Sequence, residues 1–413
     1  MNRSIKKRMG GQMVDNFLRR DLLRITAASV ATAPILVRQS LAQTLDPAEA
    51  ERILYPAPGL PGGGQMEVRM MVEGEHPDPH IAELARLVKP FNLESWYNEH
   101  THFAEVNEKL ADQFLANGRK VTAADHYLRA SGFYRSAVVY LAVGDKRMMP
   151  TYDKMKDVFD KAWSIIPAPF ERVWIPYEGK KLMAFFYSAR GQGGRKPPVV
   201  FNYSGADGLL MGGAGGSANQ YRARGIAFLE VDGPGQGWAL RKDNIYARPD
   251  SESFGKAVAD WLVARDDIDH DRMGIHGSSM GGYTAPRVCS VEKRFKACAV
   301  WSGAFALQQD IWDYYPPIRE RLRWLIGAKD FDEGRKMMAD FTLEGRADKI
   351  ECPILVGYSI DDRVMDPRGA LRLYNGAAKG RQPQMLEGVG HGKRNWEKRN
   401  EIVDWFAKQL GAA

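Results

Sequence analysis

The sequence predicts an α/β protein: a mostly parallel, eight-stranded sheet preceded by an all-helical region. Three observations carry this expectation. From about residue 78 to 166, apolar residues recur at helical spacing with no β-rich run. Pro167-Ala168-Pro169 then breaks the pattern. Beyond it, short and almost continuously apolar runs such as Pro198-Val199-Val200-Phe201 alternate with helical stretches, as parallel strands covered on both faces require.

The chain has 413 residues, 44% hydrophobic and 26% charged, so it can bury a large core and is expected to form about two domains. Its formal charge is +7, but residues 1–43 hold eight Lys/Arg (Arg3, Lys6, Lys7, Arg8, Arg19, Arg20, Arg24, Arg38) against Asp15 and Asp21, a net +6. The remaining +1 argues against nucleic acid as the main partner, because counterion release needs a basic surface on the folded part. Arg19-Arg20-Asp21-Leu22-Leu23-Arg24, the mildly apolar run Ile25 to Val37 and the small residues Ser40 and Ala42 read as a twin-arginine export signal over 1–43. A periplasmic or secreted protein is therefore expected, with no membrane span in its mature form. Cys289, Cys298 and Cys352 include no CxxC pair and make no disulfide framework.

Residues 44–166 are expected to be the helical domain, after a Pro/Gly-rich arm ending near Gly64. Ile81, Leu84, Leu87 and Val88 form one apolar stripe, and Phe103, Val106, Leu110 and Phe114 a second. Asn117-Gly118 ends that helix, Thr122 is placed to cap the next, and three to five helices are expected in all. In residues 167–413 the candidate strands are 172–176, 182–187, 199–203, 226–231, 272–276, 297–301, 354–358 and 384–387. Helices are expected at 218–224, 251–265, 281–291, 367–378 and 396–410. Glu178-Gly179-Lys180 joins the first two strands as an antiparallel hairpin at the sheet edge. Residues 304–348, rich in Phe305, Trp312, Tyr314, Tyr315 and Trp324, read as a lid insertion.

Gly277-Ser278-Ser279-Met280-Gly281 fits G-x-S-x-G between a strand and a helix, the setting of a nucleophile elbow. Ser279 has the glycines two residues away on both sides, and Ser278 does not. A serine hydroxyl needs a base and the base an orienting acid. His391, in Gly388-Val389-Gly390-His391-Gly392 after the last strand, is the best placed of eight histidines. His276 falls within a core strand, and His76 and His80 bracket Pro77 and Pro79, so no metal site and no cofactor are expected. The acid should follow the 354–358 strand: Asp362 is preferred, with Asp361 as the alternative. The order serine, acid, histidine is that of the α/β hydrolases. Backbone N–H groups of Met280 and Ala206, the latter in Ser204-Gly205-Ala206-Asp207, are the expected oxyanion donors. The glycines of 212–216 lack the order of a dinucleotide-binding loop. Trp312 and Asp310 are candidate substrate contacts for a small, aromatic or apolar molecule; homodimer formation is left open.

Asp232-Gly233-Pro234-Gly235-Gln236-Gly237, the Ser279 elbow, and the helical stretch from Trp96-Tyr97 to Arg129-Ala130-Ser131 together resemble one α/β-hydrolase family. It is the group of 2,6-dihydroxypseudooxynicotine hydrolase and of fungal enzymes that shorten polyketide pigment precursors. The resemblance spans most of residues 90–410. It implies an α/β-hydrolase fold with an N-terminal helical cap, a Ser-Asp-His triad and hydrolysis of a C–C bond beside a ketone. The sequence departs from the family in its export signal and in its oxyanion loop, where a Gly-Gly-Leu type is expected. From the residues themselves an ester and a ketone C–C bond are both open as substrate. A peptidase of the prolyl-oligopeptidase type, here without a β-propeller, and a non-catalytic binding protein on the same scaffold are the rival readings.

Overall fold

The computed structural model describes residues 79–89, 92–211, 217–377, 383–388, 390–391 and 396–412. The export-signal expectation, the arm up to Gly64, His76 and the 212–216 glycines lie outside them. The chain divides at Pro58/Gly59, and everything described belongs to the unit Gly59–Ala413.

Four helices come first: α1 (Pro79–Leu87), α2 (Leu93–Ala116), α3 (Lys120–Val139) and α4 (Met148–Ile165). The Asn92 side chain caps α2 by accepting from the Ser95 N–H at 2.9 Å. Asn117 and the left-handed Gly118 end it. Two expectations need correction. Thr122 lies inside α3, which starts at Lys120 without a side-chain cap. The buried face of α2 is Trp96, His100, Ala104, Asn107 and Ala111, while Val106 of the expected stripe is exposed. Small alanines on α2 and on α3 (Ala123, Ala124, Ala130) let the two helices pack closely, so this face carries few large apolar residues.

Eight strands follow: β1 (Glu171–Tyr177), β2 (Lys180–Tyr187), β3 (Val199–Tyr203), β4 (Ala227–Val231), β5 (Met273–Ser278), β6 (Phe295–Trp301), β7 (Ile354–Tyr358) and β8 (Gln384–Glu387). Their order in the sheet is β1-β2-β4-β3-β5-β6-β7-β8. The β1–β2 hairpin lies at the edge as expected, β2 also meets β4 antiparallel, and all other pairs are parallel. Glu178 and Gly179 both have positive φ, the turn that suits the twist of a two-residue hairpin. The interleaved helices are α5 (Ala218–Arg222), α6 (Gly237–Arg241), α7 (Glu252–Val263), α8 (Gly281–Cys289), α9 (Arg319–Leu325), α10 (Phe331–Met338), α11 (Pro367–Ala377) and α12 (Trp396–Gln409).

Successive strand residues face opposite ways and so divide the core in two. Val199, Phe201 and Tyr203 face one cluster with Phe254, Ile275 and Val288. That cluster also holds Leu307, Ile311, Trp312, Ile318, Leu322 and Leu325 of the 304–348 insertion. Val200, Phe228 and Phe185 face the other, which includes Phe406 of α12 and the buried residues of α1–α4. Phe159 of α4 stacks on Phe185 of β2 with ring centroids 5.6 Å apart.

Candidate active site

Ser279 sits on the turn from β5 to α8 with φ 57°, a left-handed conformation unfavourable for a residue with a side chain. The turn forces the backbone on either side into close quarters. A Cβ at Gly277 would lie 2.0 Å from the Gly281 carbonyl oxygen, and one at Gly281 would lie 2.1 Å from that of Tyr203. Glycine is required at both, and the strained turn lifts the Ser279 hydroxyl out of the strand end. The Ser279 N–H donates to the Trp301 carbonyl at 2.9 Å, which ties the elbow to β6. Ser278 is the last residue of β5.

His391 Nε2 is 3.1 Å from Ser279 Oγ, and its Nδ1 is 2.9 Å from Asp362 Oδ2. The three residues expected to act together are thus brought together. Of the two neighbouring aspartates, Asp362 is buried at 2% exposure and makes the contact. Asp361 instead accepts the Gly390 N–H at 2.7 Å and the Ser359 hydroxyl at 2.9 Å, and so shapes the histidine loop. Burial pushes the Asp362 carboxyl upward, but the His391 charge and hydrogen bond, with the N–H groups of Met365 and Val364, outweigh it and hold the pKa below 3.8. The carboxylate therefore stays ionised and leaves Nδ1 as the donor. Nε2 is then the acceptor for the Ser279 hydroxyl.

Two contributors escaped the sequence reading. Ser302, just past β6, is buried and has φ 53°; its hydroxyl donates to Asp362 Oδ2 at 2.8 Å. Gln236, the fifth residue of the Asp-Gly-Pro-Gly-Gln-Gly run, donates through Nε2 to the carbonyls of Ser204 and Gly205, each at 2.9 Å. A trans peptide points its N–H opposite to its C=O, so pinning the Gly205 carbonyl also fixes the direction of the Ala206 N–H. Asp232 staples the same run by accepting the N–H groups of Leu210 (3.1 Å) and Trp238 (2.9 Å). Among the described residues, neither the Ala206 nor the Met280 N–H has an acceptor. Gly205 passes so close to the serine that a Cβ there would be 2.9 Å from Ser279 Cβ.

The two expected substrate contacts have other work. Asp310 is wholly buried, accepts the N–H groups of Phe305 (2.7 Å) and Ala306 (2.9 Å), and pairs with Arg372. Trp312 is 1% exposed and packs on Gly334 and Phe331 inside the insertion. Both side chains are committed to holding the insertion together, which corrects the expectation of substrate contact. His276 pairs with the Tyr221 hydroxyl at 3.0 Å, and His100 stacks on Trp96. No group of three or more His, Cys, Asp or Glu among the described residues is arranged to hold a metal ion.

With this geometry in view, residues 70–308, more than half of the chain, match the family described as Esterase FrsA-like. The chain belongs to the FrsA-like esterase family. Residues 217–413 of this FrsA-like protein also match the Prolyl oligopeptidase family. It is 29% identical over 334 residues to Hydrolase LUC6 of Fusarium sp, covering 70% of this chain and 78% of that one. It is 33% identical over 241 residues to Alpha/beta hydrolase psoB of Aspergillus fumigatus; that match spans 55% of this chain and about half, 54%, of psoB. Among solved structures, 2,6-dihydroxy-pseudo-oxynicotine hydrolase superposes with a TM-score of 0.69 at 21% identity, covering 83% of this chain and 95% of the other. At that identity the last comparison speaks for the fold, which is that of an α/β hydrolase.

Proposed function

We propose that this protein is a serine hydrolase that cleaves a carbonyl substrate through an acyl-enzyme. The observation that carries the reading is the Ser279–His391–Asp362 chain, 3.1 and 2.9 Å, built on a strained elbow. His391 Nε2 takes the Ser279 proton as Oγ attacks the carbonyl carbon. The tetrahedral oxyanion is held by the N–H groups of Met280 and Ala206; removing one such donor costs about 3 kcal/mol. On collapse, His391 returns the proton to the leaving group, an alkoxide from an ester or a carbanion from a C–C bond beside a ketone. It then activates a water that releases the acid. α1–α4 and the 304–348 insertion supply an apolar, aromatic roof.

The deciding experiment is fluorophosphonate labelling of Ser279, together with a hydrolysis screen of p-nitrophenyl esters, lactones, aryl β-diketones and aminoacyl anilides. Absence of labelling and turnover would leave a binding protein on a hydrolase scaffold. Preferential anilide cleavage would favour the peptidase reading, to which the prolyl-oligopeptidase match lends support. The proposal extends to export through Arg19-Arg20: replacing both with lysine should retain the protein in the cytoplasm.

A further inference from the structure

Three arginines from three separate parts of the chain converge beside the oxyanion loop. Arg135 of α3 donates through Nη2 to the Asp207 carbonyl at 3.2 Å. Arg321 of α9, only 5% exposed, brings its Nε to 3.8 Å from Asp207 Oδ1. Arg241, the last residue of α6, lies with its guanidinium carbon 4.9 Å from the Trp324 ring centre and 5.6 Å from that of Tyr152. The Arg321 guanidinium carbon is 5.3 Å from the same Trp324 ring. One indole thus gathers two cations.

Arg241 is the telling member. It makes no ion pair and no hydrogen bond among the described residues, and its Nε is sealed from solvent without an acceptor. The carboxylate of Asp232 is nearby, but its two oxygens already accept the Leu210 and Trp238 N–H groups. Desolvation and the like charge of Arg321 lower the Arg241 pKa to about 10. The Nε edge is thus desolvated with no hydrogen-bond acceptor, a cost that an anion bound there would offset.

The geometry points to Arg241 and Arg321 as an anion-binding subsite beside the oxyanion loop, which takes a carboxylate carried by the substrate. A carboxylate matches a guanidinium fork in plane and charge, and the aromatic rings keep water from competing. The position sets the reach: Asp207, which Arg321 approaches, is two residues from Gly205, which abuts Ser279, so the subsite lies within a short acyl chain of the serine. The substrate class is then an ester or ketone that bears an acid a few carbons away on its acyl side. This rests on the serine-hydrolase reading above.

The test compares p-nitrophenyl hemiglutarate with p-nitrophenyl 5-methylhexanoate, whose terminal isopropyl group has nearly the size of the carboxylate without its charge. The expected kcat/KM ratio favours the acid ester by at least about tenfold in the wild type, falls to near one in Arg241→Met, is partly restored in Arg241→Lys, and shrinks with added salt. A wild-type ratio of one or less, or an unchanged ratio in Arg241→Met, overturns the subsite. Calorimetric binding of free glutarate and of its neutral diamide to the wild type decides the matter even if Arg241→Met misfolds: glutarate should bind at least about tenfold more tightly. Equal or absent binding of the two refutes the subsite. Glutarate binding without hydrolysis of either ester and without fluorophosphonate labelling would uphold the subsite and sink the serine-hydrolase reading instead.

Discussion

Replacing Asp362 with asparagine should cripple the protein without unfolding it, and the structure says by which route. Oδ1 accepts two backbone N–H groups, from Val364 and Met365, each at 2.9 Å. An asparagine must keep its oxygen there, because its NH₂ would otherwise face two donors. The NH₂ then occupies the Oδ2 place, against Ser302 Oγ (2.8 Å) and His391 Nδ1 (2.9 Å). It donates to Nδ1, so the ring proton moves to Nε2 and points at Ser279 Oγ, where an acceptor is needed. With this wrong tautomer kcat should fall by about 10⁴-fold, equivalent to about 5 kcal/mol in the barrier. In Asp361→Asn an oxygen still accepts the Gly390 N–H, and the loss should stay below about tenfold. Steady-state hydrolysis of a p-nitrophenyl ester and the rate of fluorophosphonate labelling read both variants. An Asp362→Asn enzyme within tenfold of the wild type, or a reversed ranking of the two aspartates, would refute this account of the acid.

Ser279→Ala should abolish turnover and labelling with its melting temperature nearly unchanged, whereas Ser278→Ala keeps most activity; Ser279→Gly should melt higher by the equivalent of about 1 kcal/mol because φ 57° no longer strains a Cβ. Ser302→Ala removes one donor from Asp362, so kcat should drop a few-fold, to roughly a third. The acidic limb of the kcat/KM profile should move to higher pH, a displacement that a purely structural loss would not produce. Burial, helped by the Asp232 charge, raises the Glu230 pKa from 4.5 to about 7 against a hydrogen bond with Tyr187 that lowers it. The folded state therefore holds that proton more tightly than the unfolded one, and this contribution to stability is full below pH 4.5 and is lost as pH rises through 7. Glu230→Gln should accordingly flatten the fall in melting temperature between pH 5 and 8, by up to about 3 kcal/mol in unfolding free energy at the upper end. A chain lacking residues 66–166 should be poorly soluble and inactive on bulky esters; a soluble fragment with unchanged kcat/KM would show the helices to be dispensable.

Much of this was legible because it is local. Buried parallel strands must be apolar throughout, so Val199 to Tyr203 and Ile354 to Tyr358 stand out by composition, and the elbow by the two glycines its backbone needs. What escaped depends on neighbours distant in sequence. Asp361 and Asp362 are chemically alike, and only the fold decides that one is exposed and the other is 2% exposed beside His391. The buried face of α2 includes His100 and Asn107, which no hydropathy pattern counts as core. The aromatic, acidic character of Asp310 and Trp312 suggested a pocket, yet Arg372 and two backbone N–H groups had claimed the carboxylate. Ser302 and Gln236 act through hydrogen bonds that span 60 and about 31 residues, and no local pattern announces such a bond.

The helical region is bound to the chemistry by more than proximity in sequence. Its Phe159 stacks on the β2 residue Phe185, its Asp153 pairs with Lys242 at 2.5 Å, and its Arg135 holds the Asp207 carbonyl. The last contact bears on the same short loop whose Ser204 and Gly205 carbonyls Gln236 fixes and whose Asp207 side chain Arg321 of the insertion approaches. Three elements that fold from different stretches of sequence therefore set the position of a single four-residue loop. Such a loop can keep the Ala206 N–H directed at a developing charge only while all three are docked. On the proposed mechanism, the alignment of the Ala206 N–H therefore depends on contacts from the helical region, the Gln236 run and the insertion together.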